Sequence, residues 1–282
     1  MSLKFEILRN VKSESANFIL KDFMPIPKNA VTLLSSKGGI GKTRCSLIMA
    51  DRFIKETENN VALWLTEDYK GQVRYTFDEM VKAGLVSEHS LDNMILILEE
   101  PPQLAKRENG VFKANYEEIN KIGEVLIKND VHFAVFDPLL AFYGGNENDN
   151  SEARVFIQSF AEWAKKAQIT TLIIHHANKD GNSRGATAFH DGVRARYELD
   201  FIKDDNDEVD MEKMQKGLRM VKLKKDNWGI RQHLWKLSDG EDEVVHKLMP
   251  EMRNESKYSS EPTITEYTPN NDNDFLGGLL NE

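Results

Sequence analysis

Cysteine is almost missing from this chain: Cys45 is the only one in 282 residues, so an internal disulfide is impossible and a cysteine-built metal site is disfavoured. Long apolar runs are missing too. No stretch approaches the roughly 18 to 20 residues that span a bilayer, and the opening MSLKFEILRNVKSESANFIL lacks a cationic segment leading to an apolar stretch and cleavage site. The expectation is a soluble, cytoplasmic protein with no membrane partner. An excess of positive charge is absent as well. The net charge is −9 and the pI about 5.4, which argues against a broad basic face that coats duplex DNA.

What is present is unevenly distributed. Residues 251–282 hold seven acids and two bases, net −5, which leaves −4 for residues 1–250. The main body is only mildly acidic. Within it, the stretch 213–231 carries Lys213, Lys216, Arg219, Lys222, Lys224, Lys225 and Arg231 against Glu212 and Asp226. A nucleic-acid partner therefore survives if its contact is local, in a pore or groove. With 40% hydrophobic residues a packed core is possible, and the length suits one large domain with an appendage.

Short, nearly continuous apolar runs alternate with amphipathic stretches. AVTLL (30–34), VALWLT (61–66), MILIL (94–98), HFAVF (132–136) and TTLII (170–174) read as strands buried on both faces. Residues 42–56, 69–83, 116–129 and 150–166 read as helices by apolar spacing. The alternation predicts an α/β fold with a mainly parallel sheet flanked by helices. After Ala195, the pieces LRMVKLK (218–224), IRQHLWKL (230–237) and VVHKL (244–248) are separated by turn-prone residues and predict antiparallel strands at one edge. The division expected is one folded domain over 1–250 and an acidic, disordered tail over 251–282, in which DFLGGLL (274–280) is an apolar island.

The strongest motif is SSKGGIGKT, residues 35–43, between a strand and a helical stretch. A Walker A loop needs glycines so that backbone N–H groups can face phosphate oxygens, a lysine for the β- and γ-phosphates, and a Ser or Thr for Mg²⁺. Gly38, Gly39, Gly41, Lys42 and Thr43 supply these parts, and Ser36 departs from the general pattern, where the first glycine stands. Residues Ser36, Lys37, Gly38, Gly39, Ile40, Gly41, Lys42, Thr43 and Arg44 are thus the candidate nucleotide-contacting run, for ATP with Mg²⁺.

Asp137 ends the strand HFAVF, where a Walker B aspartate holds the Mg²⁺ shell; a turn-capping role is the plainer alternative. Glu67 and Asp68 end VALWLT. Glu67 is a candidate general base for the attacking water, and Asp68 reads as a helix cap. His175 and His176 close TTLII and are either core histidines or a sensor beside the γ-phosphate.

Taken together, SSKGGIGKT, LTED, FDPLLAFYGGNENDNSEA, LIIHHANK, SRGATAFHDGVRAR and KKDNWG resemble the RepA-type hexameric replicative helicases of plasmids, relatives of the RecA-like, DnaB-like P-loop ATPases, over about residues 20–237. Ser before the Gly-Gly loop is tolerated in that family. The resemblance implies that Lys42 and Thr43 are the Walker A lysine and Mg²⁺ ligand, Glu67 the catalytic glutamate, Asp137 the Walker B aspartate and His176 the γ-phosphate sensor. It further implies that Arg194 is an arginine finger inserted into the neighbouring subunit's site, with Lys225 and Asn227 approaching the same nucleotide, and that Arg184 lies on the loop after the sensor. A plainer role for Arg194 is a surface ion pair with Asp191 or Glu198. The partners implied are further copies in a hexamer or other ring and single-stranded DNA in its channel.

The channel loops would be about 142–152 and 177–190. Lys179 and Arg184 could neutralise phosphates, whereas GGNENDN is acidic and reads better as a turn and helix cap around Asp149 to Ser151. Two other readings stand beside the helicase. SKGGIGKT also looks like the deviant Walker A loop of ParA/MinD partition ATPases, with Lys37 as the extra lysine, although the later motifs do not follow that family. A RecA-like DNA-binding or regulatory ATPase without strand unwinding is the other, since fold and ATP chemistry do not specify the coupled work. The tail's DFLGGLL is either a docking peptide for a partner protein or a chance cluster of leucines.

Overall fold

Continuous apolar runs become strands covered on both faces, and the helices between them supply the cover. The computed structural model describes residues 5–176 and 186–251. The chain starts with β1 (Phe18–Ile19), β2 (Ile26–Pro27), β3 (Val31–Ser36), α1 (Lys42–Thr57), β4 (Asn60–Leu65) and α2 (Lys70–Lys82). There follow β5 (Met94–Leu96), β6 (Ala105–Glu108), β7 (Val111–Ala114), α3 (Tyr116–Lys128), β8 (Val131–Asp137), β9 (Tyr143–Gly144), α4 (Asn150–Ala167) and β10 (Thr170–His176). The last elements are α5 (Ala188–Gly192), β11 (Ala195–Asp200), α6 (Met211–Gln215), β12 (Leu218–Asp226), α7 (Arg231–Leu234) and β13 (Glu243–Lys247).

Among the described residues, eight strands form the central sheet in the order β13-β12-β11-β3-β10-β8-β4-β5. The run from β11 to β5 is parallel, and β12 and β13 return antiparallel at one edge. This is the mixed α/β architecture expected of a P-loop nucleoside triphosphatase. One face is covered by α1 and α2, with Leu47, Ile48, Phe53 and Phe77 in the core. The other is covered by α3 and α4 and is dominated by rings: Phe136 lies within 5.0–6.3 Å, centroid to centroid, of Trp64, Phe142, Phe160 and Trp163. Phe136 directly precedes Asp137, so this packed cluster fixes the strand end that carries the carboxylate.

Several details differ from the sequence reading. Residues 230–237 form α7 and turns in place of a strand: Asp226 accepts hydrogen bonds from the backbone N–H groups of Trp228, Gly229, Ile230 and Arg231, and Ile230 and Leu234 bury themselves at helical spacing. Only Met94–Leu96 of MILIL is strand, half-buried because it is the sheet's edge. Just past Ala195 the chain first adds β11, parallel to β3, before the antiparallel pair. A separate small sheet, β7-β6-β9, is built on a hairpin whose turn residues Asn109 and Gly110 both have positive φ.

The chain divides into the units Met1–Glu251 and Met252–Glu282. The tail, with DFLGGLL, lies outside the described residues, as do Lys179 and Arg184. Among the described residues no helix is long and apolar enough to cross a membrane.

Candidate nucleotide site

The parallel strands deliver their carboxyl ends to one rim of the sheet, and the candidate site lies there. Ser36 is the last residue of β3, buried and in register with His176 of β10 on one side and Leu199 of β11 on the other. It is extended, so the freedom of a glycine is not required at that position. The turn comes later, at Gly39 (φ 75°) and Gly41 (φ 105°), and Gly41 is the residue that starts α1. Lys42, Thr43 and Arg44 form the first turn of that helix, whose unpaired N–H groups favour phosphate.

A cleft of about 290 Å³ opens above this turn, lined by Gly39, Gly41, Lys42, Thr43 and Arg44 on one side and Glu67, Asp68 and Asp137 on another. Lys37 is half-buried and Gly38 exposed, neither lining the cleft, and Ile40 is buried. Lys42 Nζ lies 3.3 Å from His176 Nδ1, and His176 Nε2 lies 3.3 Å from Glu67 Oε1. An ammonium can only donate, so Nδ1 accepts and the imidazole proton is on Nε2, facing the Glu67 carboxylate. Thr43 Oγ1 donates to Asp68 Oδ2 at 2.7 Å. Asp68 is not the cap of α2, which begins after Tyr69 without a side-chain cap; it belongs to the site.

Asp137 is buried and its Oδ1 has no hydrogen-bond partner among the described residues. Its carboxyl is pushed up to about 7, by burial first; Lys42 pulls the other way, and Glu67 and Asp68 add to the rise. A buried carboxylate oxygen without a donor, next to a threonine hydroxyl and two further carboxylates, fits a hard divalent cation such as Mg²⁺. His175 faces the other way, its ring 5.6 Å from those of Phe189 and His190. Among the described residues no group of three or more His, Cys, Asp or Glu side chains is arranged to hold a metal by itself. Cys45, one turn into α1, is buried and its thiol is pushed up to about 12, which leaves it without nucleophilic character.

Three of the expected residues are elsewhere. Arg194, Lys225 and Asn227 gather at the amino end of β11, where Ala195 pairs with Asp226 and the Asn227 N–H donates to the Arg194 carbonyl. Arg194 is exposed and makes no ion pair among the described residues; Glu198 is taken by Lys224. Lys225 Nζ donates to the carbonyls of His190 and Asp191, and Arg196 Nη1 donates to His190 Nδ1 at 2.9 Å. Burial and the Arg196 charge push His190 down to about 4, so it stays neutral as the acceptor.

Sequence reasoning missed two residues that touch this site, Arg219 of β12 and Met249. Arg219 is buried and donates to the Ile40 carbonyl of the phosphate loop at 3.0 Å, and Met249 lines the cleft. Both come from the far end of the chain and carry no local motif. The sequence profile of a protein family described as an AAA domain matches residues 8–182, more than half of the chain. No curated protein matches it. The matched stretch contains the phosphate loop, Glu67, Asp137 and His176; Arg194, Lys225, Asn227, Arg219 and Met249 lie beyond it.

Proposed function

The chain belongs to the AAA domain family of P-loop ATPases, and we propose that it is an ATP-hydrolysing, ring-forming motor: a cytoplasmic replicative DNA helicase that translocates on single-stranded DNA. One observation carries the ring. Leu199, not Arg194, is the register partner of Ser36 at the phosphate-loop end of the sheet. Five residues of strand separate the two, about 16 Å, farther than an arginine side chain reaches. Arg194 therefore cannot serve its own phosphate loop, and a head-to-tail ring would deliver it to a neighbour's.

In that arrangement the loop N–H groups and Lys42 bind the triphosphate of ATP, and Thr43 and Asp137 hold Mg²⁺, which neutralises charge on the β- and γ-oxygens when bound. Glu67 accepts the proton of the attacking water. His176, between Lys42 and Glu67, registers whether the γ-phosphate is present. Arg194 and Lys225, with Asn227 beside them, offset the charge that develops on the neighbour's γ-phosphate. Residues 1–250 form the motor domain and 251–282 an acidic appendage with a segment for docking a partner protein.

The helicase assignment rests on the similarity of six sequence blocks in order. The test is ATP turnover over a range of protein concentrations, with and without single-stranded DNA, alongside a strand-separation assay. Turnover per subunit should rise with concentration and with DNA, and strands should separate. A DNA-independent ATPase that forms no ring in electron microscopy would sink the helicase reading and favour a regulatory ATPase.

A further inference from the structure

Nothing in the motifs says where the base of the nucleotide goes. The cleft has a direction, however. Glu67 and Asp137 gather with Lys42 where the γ-phosphate and its metal belong, and Arg44 and Met249, which also line the cleft but take no part in that cluster, are left for the sugar and base. There the side chain of Met249 lies directly over the phosphate loop: a Cβ built on Gly41 would meet the Met249 methyl at 2.4 Å. The position of that methyl is set from behind. Arg219 Nη2 donates to Met249 Sδ at 3.0 Å, its Nε to the Ile40 carbonyl at 3.0 Å and its Nη1 to the Leu218 carbonyl at 2.7 Å, while its guanidinium stacks 4.6 Å from the Phe201 ring. The backbone is fixed too, since Leu248 and Met249 both donate their N–H groups to the Gly217 carbonyl.

The charges on this side also lack an answer. Neither Arg44 nor Arg219 makes an ion pair among the described residues, and Arg44 Nε is buried with no hydrogen-bond partner. Burial first, and then the Arg44 charge, hold Arg219 below the ordinary arginine value. Two like charges beside a phosphate loop are relieved by an anion entering between them and the loop.

We propose that Met249 and Arg44 form the base and sugar end of the nucleotide cleft, and that Arg219 is a positioning residue that fixes both the Met249 thioether and the phosphate loop. The thioether offers a polarisable, apolar face to a purine ring. Arg44 offers a cation to the α-phosphate and sugar. This rests on the nucleotide-binding reading above and adds to it the residues that hold the part of the ligand without phosphate.

The experiment is calorimetric titration of the full chain with Mg·ATP and, separately, with inorganic tripolyphosphate. Met249→Ala should weaken ATP about 2- to 10-fold, the range a thioether–aromatic contact supplies, and leave tripolyphosphate unchanged. Met249→Leu keeps an apolar wall but loses the thioether, so it should recover only part of the ATP affinity that Met249→Ala loses, with tripolyphosphate again unchanged. Arg219→Lys, which loses the fork that reaches Ile40 and Met249 together, should weaken both ligands, and ATP more than tripolyphosphate because only ATP also uses Met249. If Met249→Ala shifts both ligands equally, or neither, the base subsite is elsewhere and the proposal falls. If the parent protein binds neither ligand, it is the nucleotide reading itself that fails.

Discussion

The two ends of the parallel strands are built on opposite principles. At the carboxyl end most reactive side chains are engaged with one another, Lys42 with His176, His176 with Glu67 and Thr43 with Asp68, while the buried Asp137 Oδ1 has no donor among the described residues. Cation, imidazole, hydroxyl and carboxylates are all present, so that end has what it needs to grip a metal-bound phosphate. At the amino end of β11 the side chains are cationic and, among the described residues, no carboxylate pairs with Arg194, Arg196 or Lys225. Lys225 is held by carbonyls, Arg196 by a neutral imidazole, and Arg194 projects unpaired. Of the carboxylates nearby, Asp226 is consumed by four backbone N–H groups, Glu198 is paired with Lys224, and Asp191 acts on Lys225 and Arg196 only through space. One end is chemically complete apart from its ligand. The other leaves Arg194 without an ion-pair partner among the described residues, and a neighbour's bound triphosphate is the anion that a head-to-tail ring would supply.

The largest expected effect breaks that comparison at the cationic end. Arg194→Ala should lower ATP turnover about 10³- to 10⁵-fold, the range for a finger supplied in trans, with little change in ATP affinity. Mixing it with Lys42→Ala should restore part of the turnover, because a mixed ring contains interfaces with one intact loop and one intact finger. Turnover measured for each variant alone and for the mixture decides this. An Arg194→Ala protein that hydrolyses ATP normally would leave the amino end without a catalytic part.

The next effect sharpens the description of the carboxyl end. The Asp137 carboxyl is pushed up to about 7 from an ordinary value of 3.8. A group raised in the folded state stabilises the fold at low pH, and that stability is lost as pH rises from about 4 through about 7, because above it the fold must bury a charge. The loss is on the order of 4 kcal/mol at most. Urea denaturation without nucleotide or Mg²⁺ should therefore show Asp137→Asn more stable than the parent at pH 8.5, with the gap closing toward pH 5. Adding Mg·ATP should stabilise the parent far more than the variant. Parallel pH curves for the two proteins would mean that water, not burial, sets the charge of Asp137.

How much of this was legible follows the range of the interactions. The phosphate loop, the strand-end Asp137 and Glu67, and the strand–helix alternation are local patterns, and each lies where the sequence suggests. Asp149 likewise caps α4 as read, accepting from the N–H groups of Ser151 and Glu152. The segment 230–237 has the pattern of a strand yet folds as a helix and turns, because Ile230 and Leu234 satisfy both an alternating and a helical spacing. The choice is made four residues upstream by Asp226, whose carboxylate gathers the N–H groups into a turn. The β6–β7 hairpin had a signal, Asn109-Gly110, that strand-hunting by apolar runs passes over because Lys106, Arg107 and Lys113 dilute it. Arg219 and Met249 had none. Their contacts with Ile40 and Gly41 join residues about two hundred positions apart, and only the returning edge strands bring them together.

The smallest effects come from a matched pair, one aspartate cap at each end. Asp149 caps α4 on the loop after β9, and Asp226 caps the turn that carries Asn227 and follows Lys225. Burial alone would raise the Asp226 carboxyl, but its four backbone donors hold it below the usual range. Replacing Asp226 with Ala should cost about 2 kcal/mol, since several N–H groups lose their acceptor at once, and replacing Asp149 with Ala about 1 kcal/mol. Both are measurable by chemical denaturation. Their effects on turnover should part company. Asp149→Ala frays a helix start that has no phosphate contact, so ATP turnover at 25 °C should hold within about twofold, given that the fold keeps most of its stability. Asp226→Ala loosens the turn whose Asn227 N–H is bonded to the Arg194 carbonyl, so turnover should fall about tenfold while ATP affinity stays near the parent's, as a misplaced transition-state group requires. Equal turnover in the two variants would mean that the cationic end tolerates disorder, and rigid positioning would then be a property of the phosphate-loop end alone.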